Sequence, residues 1–383
     1  MKVVLAFDSW KESLTASEAC AAAARGLARL APPPIAIVCP LSDGGEGFVE
    51  TLALASNAPT QSYAATGPLF EPVRATVAFL DDGRRAMIES AQVCGLHLVP
   101  SAQRSPGRLT TRGLGELVRT ATKAGAKEVV IGLGGSATND AGVGMLSALG
   151  WEFLDVGGHT VAPCGDSLAS IHRIIPPPVR PGINIVAACD VNNPLFGPRG
   201  AAHVFAPQKG ATADDVQRLD HGLRHFASLC AALLGRDLAA APGAGAAGGL
   251  GFALLAFLGA EFRPGAGMAI ELSGLQRHLD GAALCLTGEG RTDYQTAYGK
   301  LPGAVAGYCR DAGVPCVCLS GALGERWQEA YAAGFSAMFS VTQRPVSLKK
   351  AISEAPDALA DAAEAVGRLM LAARQEDEDR DYT

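Results

Sequence analysis

Four polar stretches of the chain each follow an apolar run of the kind that forms a β-strand. They are DSWK from Asp8, SDGGEG from Ser42, DVNN from Asp190 and TGEGRTDYQTAYGK from Thr287. Carboxylates combined with lysine and arginine suit a site that binds a divalent cation and a phosphate group. One such stretch is equally well explained by ordinary loop capping, but four of them at four strand ends favour a chemical site.

A fifth stretch, GLGGSATND at residues 132–140, places glycines between the strand-like run KEVVIGL and a helical pattern. Its Gly-x-Gly-x-x-Ala spacing matches a dinucleotide-binding fingerprint, and Glu152 or Asp155 stands roughly where the ribose-binding acid is expected. An NAD-dependent hydroxy-acid dehydrogenase is therefore one hypothesis. The same strand, loop and helix geometry offers backbone N–H groups to any phosphate, so the motif alone does not choose nicotinamide over ATP.

The elements that must position these groups follow two patterns. Short apolar runs alternate with helical patterns near both ends of the chain, as in VVLAF, IAIVCP, ALCLTG, VPCVCLSG and AMFSV, which predicts a parallel sheet wound on both faces. By contrast, PVRATVAFLDDGRRAMIES alternates apolar and polar residues around a central Asp-Asp-Gly, which predicts an antiparallel hairpin. Loops that leave the carboxyl ends of parallel strands gather in one crevice, so the polar stretches should converge.

We therefore predict an α/β protein of two α/β domains, because 383 residues exceed what one hydrophobic core usually organises. The first is a Rossmann-like parallel three-layer sheet of residues 1–58, 100–135 and 283–383. The second is a mixed-sheet domain of residues 59–99 and 136–282, inserted discontinuously. The strand EVVIGL fits either domain, and its position in a βα pattern places it in the first. We expect the active site in the cleft between the two domains.

Composition excludes several other classes of protein. A net charge of −6 and a pI near 5.7 argue against a broad nucleic-acid surface, which would need clustered lysine and arginine. Ten cysteines are scattered without Cys-x-x-Cys pairs, a pattern typical of buried free thiols. The first apolar run is too short for a signal sequence, and longer ones are interrupted by Gly, Pro or charge, so we expect a cytoplasmic protein without a membrane segment.

The motifs taken together resemble those of type 1 glycerate kinase, the bacterial glycerate 2-kinase family. The stretches that carry the resemblance are AFDSWKESLTA, PLSDGGEG, GLGGSATNDAGVGMLSALG, DVNNPLFGPRGAAHVFAPQKGA, PGAGAAGG and LTGEGRTDYQTAYGKLPGAVA. They occur in the family's order through nearly the whole chain. This sequence departs from the family pattern at Trp10, Ser42, Phe48, Ala141 and Ala206, where Phe, Ala, Thr, Gly and Gly are usual. None of these departures removes a candidate charged group.

The resemblance implies a two-domain α/β kinase that transfers the γ-phosphoryl group of ATP to D-glycerate with Mg²⁺. Transfer to the 2-hydroxyl, giving 2-phosphoglycerate, is the family pattern, and 3-phosphoglycerate is the alternative product. The implied partners are ATP and D-glycerate, with no nucleic acid and no membrane. A homodimer is possible, and the sequence leaves the oligomeric state, the nucleotide preference and the hinge positions open.

Phosphoryl transfer needs an aligned hydroxyl and phosphate together with groups that stabilise negative charge. On the matched motifs we expect Lys11 to contact phosphate and Arg291 to contact the glycerate carboxylate, although the reverse assignment is also open. Asp293 would accept or orient the substrate hydroxyl proton, and Asp190 is the alternative base. Lys11, Asp190, Arg291 and Asp293 are thus the predicted catalytic residues.

Further residues are expected to bind the substrate, the nucleotide and the metal. The predicted substrate-binding residues are Ser9, Lys11, Asp43, Arg291 and Gln295. The predicted nucleotide-binding residues are Gly134, Gly135, Ser136, Asn139 and Lys300. The predicted magnesium ligands are Asp43 and Asp190.

Two features carry weaker expectations. Asn139 and Asp140 would equally suit the N-terminal cap of a helix. The turn APQKGAT, which contains Gln208 and Lys209, is predicted to be structural or adjacent to the nucleotide, and it stands outside the catalytic set.

Overall fold

The structure is a computed structural model, and two compact units make up the chain. The described residues are 1–10, 13–42, 44–45, 47–179, 182–298 and 300–381. The first unit comprises Met1–Asp43, Leu54–Ser56 and Ala266–Thr383, and the second comprises Gly44–Ala53 and Asn57–Gly265.

Strands and helices alternate along most of the chain. The strands are β1 (Lys2–Leu5), β2 (Ile35–Val38), β3 (Thr60–Thr66), β4 (Pro72–Leu80), β5 (Arg85–Glu89), β6 (Glu128–Gly132), β7 (Glu152–Leu154), β8 (Arg173–Ile175), β9 (Asn184–Ala188), β10 (Glu261–Arg263), β11 (Leu284–Thr287), β12 (Arg291–Thr292), β13 (Cys316–Ser320), β14 (Ala322–Leu323) and β15 (Ala337–Ser340). The helices are α1 (Ala16–Leu27), α2 (Phe48–Ser56), α3 (Ala91–Cys94), α4 (Arg112–Lys123), α5 (Val143–Ala148), α6 (Ala201–Phe205), α7 (Ala213–Leu234), α8 (Ala246–Leu258), α9 (Gly265–Ser273), α10 (Leu275–Leu279), α11 (Leu301–Asp311) and α12 (Leu348–Asp381).

The first unit is built on a five-stranded sheet in the order β15-β13-β11-β1-β2, and every neighbouring pair is parallel. Successive side chains of a strand point to opposite faces, so Val3 and Leu5 pack with α1 and α12 on one side. On the other side, the sulfur atoms of Cys285, Cys309 and Cys316 lie within 4.8 Å of one another, Cys309 coming from α11. This is the predicted parallel three-layer arrangement.

The second unit contains a six-stranded mixed sheet in the order β10-β9-β6-β5-β4-β3. The strands β10, β9, β6 and β5 are parallel to one another. The strand β4 is antiparallel to both of its neighbours, β5 and β3. The predicted hairpin is β4 and β5, joined by Asp81–Gly83, three residues with positive φ. A cluster of aromatic rings, with Phe226 in edge contact with Phe153 and Phe252, lies in the core beneath the sheet.

The observed units differ from the predicted domains in where the central strand lies. Residues 100–135 are predicted in the parallel-sheet domain, but β6 pairs with β5 on one side and β9 on the other in the mixed sheet. A short apolar strand is compatible with any buried sheet, so its own residues do not select its neighbours. Residues 266–282, predicted in the inserted domain, belong to the first unit, and residues 44–53 belong to the second.

The ten cysteines are free thiols, and nine of them are buried, as predicted; Cys189 is half-buried. Within the described part of the chain, no helix has the length and apolarity needed to cross a membrane.

Candidate active site

The glycine-rich stretch that follows β6 packs directly on the predicted SDGGEG motif. The Gly134 N–H donates to the Gly44 carbonyl oxygen at 3.0 Å. A Cβ atom at Gly134 would lie 2.4 Å from the Cα atom of Gly45, so only glycine fits there. The N–H group of Gly134, one of the predicted nucleotide contacts, is therefore already engaged within the protein.

The next two residues keep their N–H groups available. Gly135 is exposed and has a φ of 72°. Its carbonyl oxygen accepts a hydrogen bond from the Leu96 N–H, and the Ala137 N–H donates to the Cys94 carbonyl oxygen. No described group accepts a hydrogen bond from the N–H of Gly135 or Ser136. Successive unpaired N–H groups form a concavity that suits an anion.

Asp140, at the end of the stretch, is a buried structural acceptor. Its carboxylate accepts from Thr111 N–H at 2.9 Å, Thr111 Oγ1 at 2.8 Å, Gly142 N–H at 3.0 Å and Gly144 N–H at 3.2 Å. Burial raises the pKa of the Asp140 carboxyl, and the four bonds oppose that shift. Asp140 thus joins the start of α4 to the start of α5, in agreement with the capping interpretation.

Asn139 is buried as completely as Asp140, but its side chain is unusual. Neither its amide nitrogen nor its amide oxygen has a hydrogen-bond partner among the described residues. A buried polar group without a partner is rare in native proteins. Its predicted nucleotide contact stays a prediction.

Asp190 lies at the same edge of the mixed sheet as the glycine-rich stretch. Its strand, β9, pairs with β6 so that Ala188 is opposite Gly132, and Asp190 follows two residues later. The Asp190 side chain is exposed, and its Oδ1 atom accepts from the Gly265 N–H at 3.0 Å. A Cβ atom at Gly44 would lie 3.1 Å from the Ala188 carbonyl oxygen, which brings the SDGGEG motif to the same edge. Three polar stretches therefore converge within the second unit.

Two buried charged residues at this edge stand outside the predicted catalytic and binding residues, although the turn that contains Lys209 is predicted to be structural or adjacent to the nucleotide. Glu89, the last residue of β5, accepts from the N–H groups of Gly47 at 3.2 Å and Val49 at 3.4 Å, at the start of α2. Lys209, in the turn APQKGAT, is only 5% exposed and donates from Nζ to Ser136 Oγ and the Thr138 carbonyl oxygen. The signal in the sequence for Lys209 is its place in the turn APQKGAT, where Pro207 begins a short helical turn and Gly210 ends it.

In the first unit, the stretches that follow β1 and β11 lie side by side. The Asp8 N–H donates to the Gly288 carbonyl oxygen at 3.1 Å, and the Ser9 N–H donates to Asp8 Oδ1 at 2.7 Å. The convergence expected of loops at the ends of neighbouring parallel strands is thus confirmed within each unit.

Lys300 is held by two carboxylates of its own motif. Its Nζ atom lies 3.3 Å from Glu289 Oε2 and 3.6 Å from Asp293 Oδ1. Glu289 is 8% exposed, and burial raises the pKa of its carboxyl. Asp293 Oδ1 also accepts from the Gln295 N–H at 2.9 Å. Lys300 therefore holds the Glu289 and Asp293 carboxylates in position and also contributes a positive charge.

Arg291 has the opposite character. It lies on β12, a two-residue strand paired with β14, and its side chain is exposed. In the part of the chain that the structure describes, the Arg291 guanidinium forms no ion pair. An exposed guanidinium without a carboxylate partner suits a bidentate contact with a substrate anion.

The predicted metal site is described in part. The predicted ligand Asp43 lies outside the described residues, as does Lys11, which is predicted to be catalytic. Mg²⁺ takes one or two carboxylates and completes its octahedron with water and phosphate oxygens. The exposed Asp190 carboxylate, at the sheet edge that also carries Gly135, fits this requirement.

The fold and the site define an α/β enzyme of the class that binds a nucleotide or another phosphate at a glycine loop beside the ends of its parallel strands. The chain is a member of the glycerate kinase family, whose model matches residues 3–371. It is 43% identical to the glycerate kinase of Bacillus subtilis (strain 168), over 93% of this chain and 94% of that protein. Identity to the glycerate 2-kinase of Escherichia coli (strain K12) is 40%, with the same coverage.

A solved structure gives the same result. The crystal structure of a protein provisionally assigned as glycerate kinase 2 from Salmonella typhimurium LT2 matches with a TM-score of 0.81 and 39% identity. The match covers 98% of this chain and 99% of that one. The enzyme is therefore an ATP-dependent phosphotransferase, and the kinase interpretation is favoured over the dehydrogenase.

Proposed function

We propose that this glycerate kinase phosphorylates D-glycerate at the 2-hydroxyl with Mg-ATP and releases 2-phosphoglycerate and ADP. The observation that carries the proposal is the convergence at one sheet edge of an exposed carboxylate, Asp190, and a glycine loop, residues 132–140, whose Gly135 and Ser136 N–H groups have no acceptor among the described residues. The identity of 40% to a glycerate 2-kinase supports the position of transfer.

The nucleotide phosphates bind to the N–H groups of Gly135 and Ser136. Gly134 contributes by allowing the SDGGEG backbone to approach, and the Asn139 side chain, buried without a partner among the described residues, is a further candidate contact. Lys300 and Lys11 add positive charge on the phosphate side. Such preorganised donors stabilise the charge that develops on the transferred group.

The acceptor is held by its carboxylate and its hydroxyl. Arg291 binds the glycerate carboxylate, with Ser9 and Gln295 as further polar contacts. The 2-hydroxyl oxygen attacks the γ-phosphorus as the bond to ADP breaks, and its proton passes to Asp293. The contact with Lys300 at 3.6 Å and the bond from the Gln295 N–H hold the Asp293 carboxylate in position.

Asp190, together with Asp43, would hold a magnesium ion. A bound Mg²⁺ ion would neutralise part of the negative charge of the phosphates. Carboxylate ligands at a phosphate-binding edge match its preference for oxygen. We also propose a cytoplasmic location, because ten free thiols persist most readily in a reducing compartment.

The test is ³¹P NMR of the purified protein with D-glycerate and Mg-ATP, beside a sample without glycerate. We expect a glycerate-dependent signal of 2-phosphoglycerate. A 3-phosphoglycerate signal would retain the kinase but overturn the assigned position, and the absence of any phosphorylated acid would overturn the proposal.

A further inference from the structure

Lys209 is a buried cation on the inner side of the glycine loop. Its Nζ atom lies 3.0 Å from Ser136 Oγ and 2.8 Å from the Thr138 carbonyl oxygen, two acceptors more than 70 residues away in sequence. Burying an ammonium group costs several kcal/mol in order of magnitude unless its surroundings compensate. The described residues compensate this cost with the two hydrogen bonds to the loop.

The chemistry of lysine fixes the direction of one of these hydrogen bonds. An ammonium group has only donors, so the Ser136 hydroxyl oxygen must accept. The hydroxyl hydrogen is then left to donate elsewhere, and no described residue accepts it. A phosphate oxygen is the acceptor that a loop of this kind would bring.

The Lys209 ammonium forms no ion pair with a carboxylate among the described residues. The titratable groups that face it are Cys94 of α3 and Asp140 of the loop. Burial raises the pKa of the Cys94 thiol to about 12, so it is neutral, and the Asp140 carboxylate accepts its hydrogen bonds from Thr111, Gly142 and Gly144. Both hydrogen bonds that Lys209 donates therefore go to neutral oxygen atoms of the loop, and a bound phosphate would add a further negative charge near the ammonium.

We propose that Lys209 is a positioning residue for the nucleotide phosphates, acting through Ser136, whose hydroxyl it sets as a donor. This inference rests on the proposed function, since it assigns the loop to ATP. Lys209 is buried behind the loop, and it acts on the phosphates through Ser136 and not by direct contact.

The protonation of Lys209 should respond to nucleotide. Burial lowers the pKa of its ammonium to about 8, and a nearby phosphate raises it again because opposite charges favour the charged form. Nucleotide binding above pH 8 should therefore take up a proton.

The first experiment compares Lys209→Met with Lys123→Met, an exposed lysine at the end of α4 in the same unit. We expect Lys209→Met to raise the KM for ATP by roughly 10-fold or more, because hydrogen bonds to charged groups are worth about 1.5–3 kcal/mol. The KM for glycerate should change little, and Lys123→Met should match the parent. The KM for ATP of the parent should rise above pH 8 as Lys209 loses its proton, and this rise should be absent in Lys209→Met.

Ser136→Ala shows whether Lys209 acts through the serine. The double variant Ser136→Ala with Lys209→Met should raise the KM for ATP no further than Lys209→Met alone, because both remove one donor. Fully additive effects, or a Lys209→Met enzyme with the parent KM and pH profile, would overturn the proposal.

A measurement on the unmodified enzyme covers the case in which Lys209→Met does not fold. Calorimetric titration with Mg-ATP at pH 8.5, in buffers of different ionisation enthalpy, should show uptake of roughly half a proton. Zero uptake would overturn the role of Lys209. If the unmodified enzyme phosphorylates glycerate but shows no uptake, the proposed function stands and this inference fails.

Discussion

The glycine loop of the second unit and the Thr287–Lys300 segment of the first carry similar residue types but use them differently. In the glycine loop, residues 132–140, Asp140 is buried and accepts hydrogen bonds from backbone and hydroxyl groups, and Lys209, from the turn APQKGAT, is buried and donates to the loop. In the other segment, Glu289 is buried and pairs with Lys300, while Arg291 stands exposed without an ion-pair partner among the described residues.

The difference separates two ways of building a site. The glycine loop presents backbone N–H groups, so its shape must be fixed from behind by buried groups. The Thr287–Lys300 segment presents the Arg291 side chain, which needs a fixed backbone position but few surrounding groups. Substitutions in the first region should therefore affect stability and nucleotide affinity together, whereas substitution of Arg291 should affect activity and leave stability unchanged.

The largest effect is expected from Asp140→Ala. It leaves the Thr111 hydroxyl and the N–H groups of Thr111, Gly142 and Gly144 without their acceptor. The free energy of unfolding should fall by about 3 kcal/mol or more, since each buried unpaired polar group costs about 1–3 kcal/mol. Urea unfolding followed by circular dichroism measures it, with the exposed Asp214→Ala as a control that should change by less than about 1 kcal/mol. A loss within the control's range would refute the structural role of Asp140.

Arg291→Ala should lower kcat/KM on the order of 100-fold, because in the proposed site it removes two charge-assisted hydrogen bonds to the substrate carboxylate. Its unfolding free energy should stay within about 0.5 kcal/mol of the parent, as for other exposed side chains. Steady-state kinetics with varied glycerate provide the measurement, and Arg310→Ala, exposed on α11, is the matched control. Activity within threefold of the parent would remove Arg291 from the site.

Gly134→Ala tests the close approach of two backbones. The new Cβ atom would lie 2.4 Å from the Cα atom of Gly45, so one chain must move. Overpacking of this kind costs about 1–3 kcal/mol, and we expect a higher KM for ATP as well. Gly182→Ala, where no atom lies within 4 Å of the added Cβ, should be neutral. Equal stability of the two variants would show that the loops separate without cost.

The smallest effect is a pH dependence of stability that comes from Lys209. Its pKa is about 8 in the folded protein and 10.5 when unperturbed, so between pH 8 and 9 the unfolded chain binds more protons. Stability should therefore rise with pH in this window, by about 1 kcal/mol from this group. The difference in unfolding free energy between the parent and Lys209→Met, measured at pH 8 and pH 9, isolates the Lys209 contribution, because the thiols, whose unperturbed pKa of about 8.5 lies in the same window, contribute equally to both proteins. A difference independent of pH would mean that Lys209 keeps an ordinary pKa.

Much of the candidate site is visible in the sequence because its groups are clustered along the chain. DSWK, SDGGEG, DVNN and the Arg291 segment all follow strands, and the structure confirms that their members converge within each unit. Lys209 is absent from the predicted catalytic set because nothing in APQKGAT refers to Ser136, 73 residues away. Lys300 is predicted as a nucleotide-binding cation, but it also pairs with Glu289 eleven residues earlier.

The sequence by itself determined the family, the α/β class, the parallel and hairpin patterns and the chemical types at the strand ends, because these depend on local periodicity and on contiguous motifs. Only the tertiary structure decided which sheet takes β6, that Glu89 holds the start of α2 and that Lys209 supports the glycine loop. Those outcomes depend on strand neighbours and register, which are settled by competition among packings of the whole chain and not by any one segment.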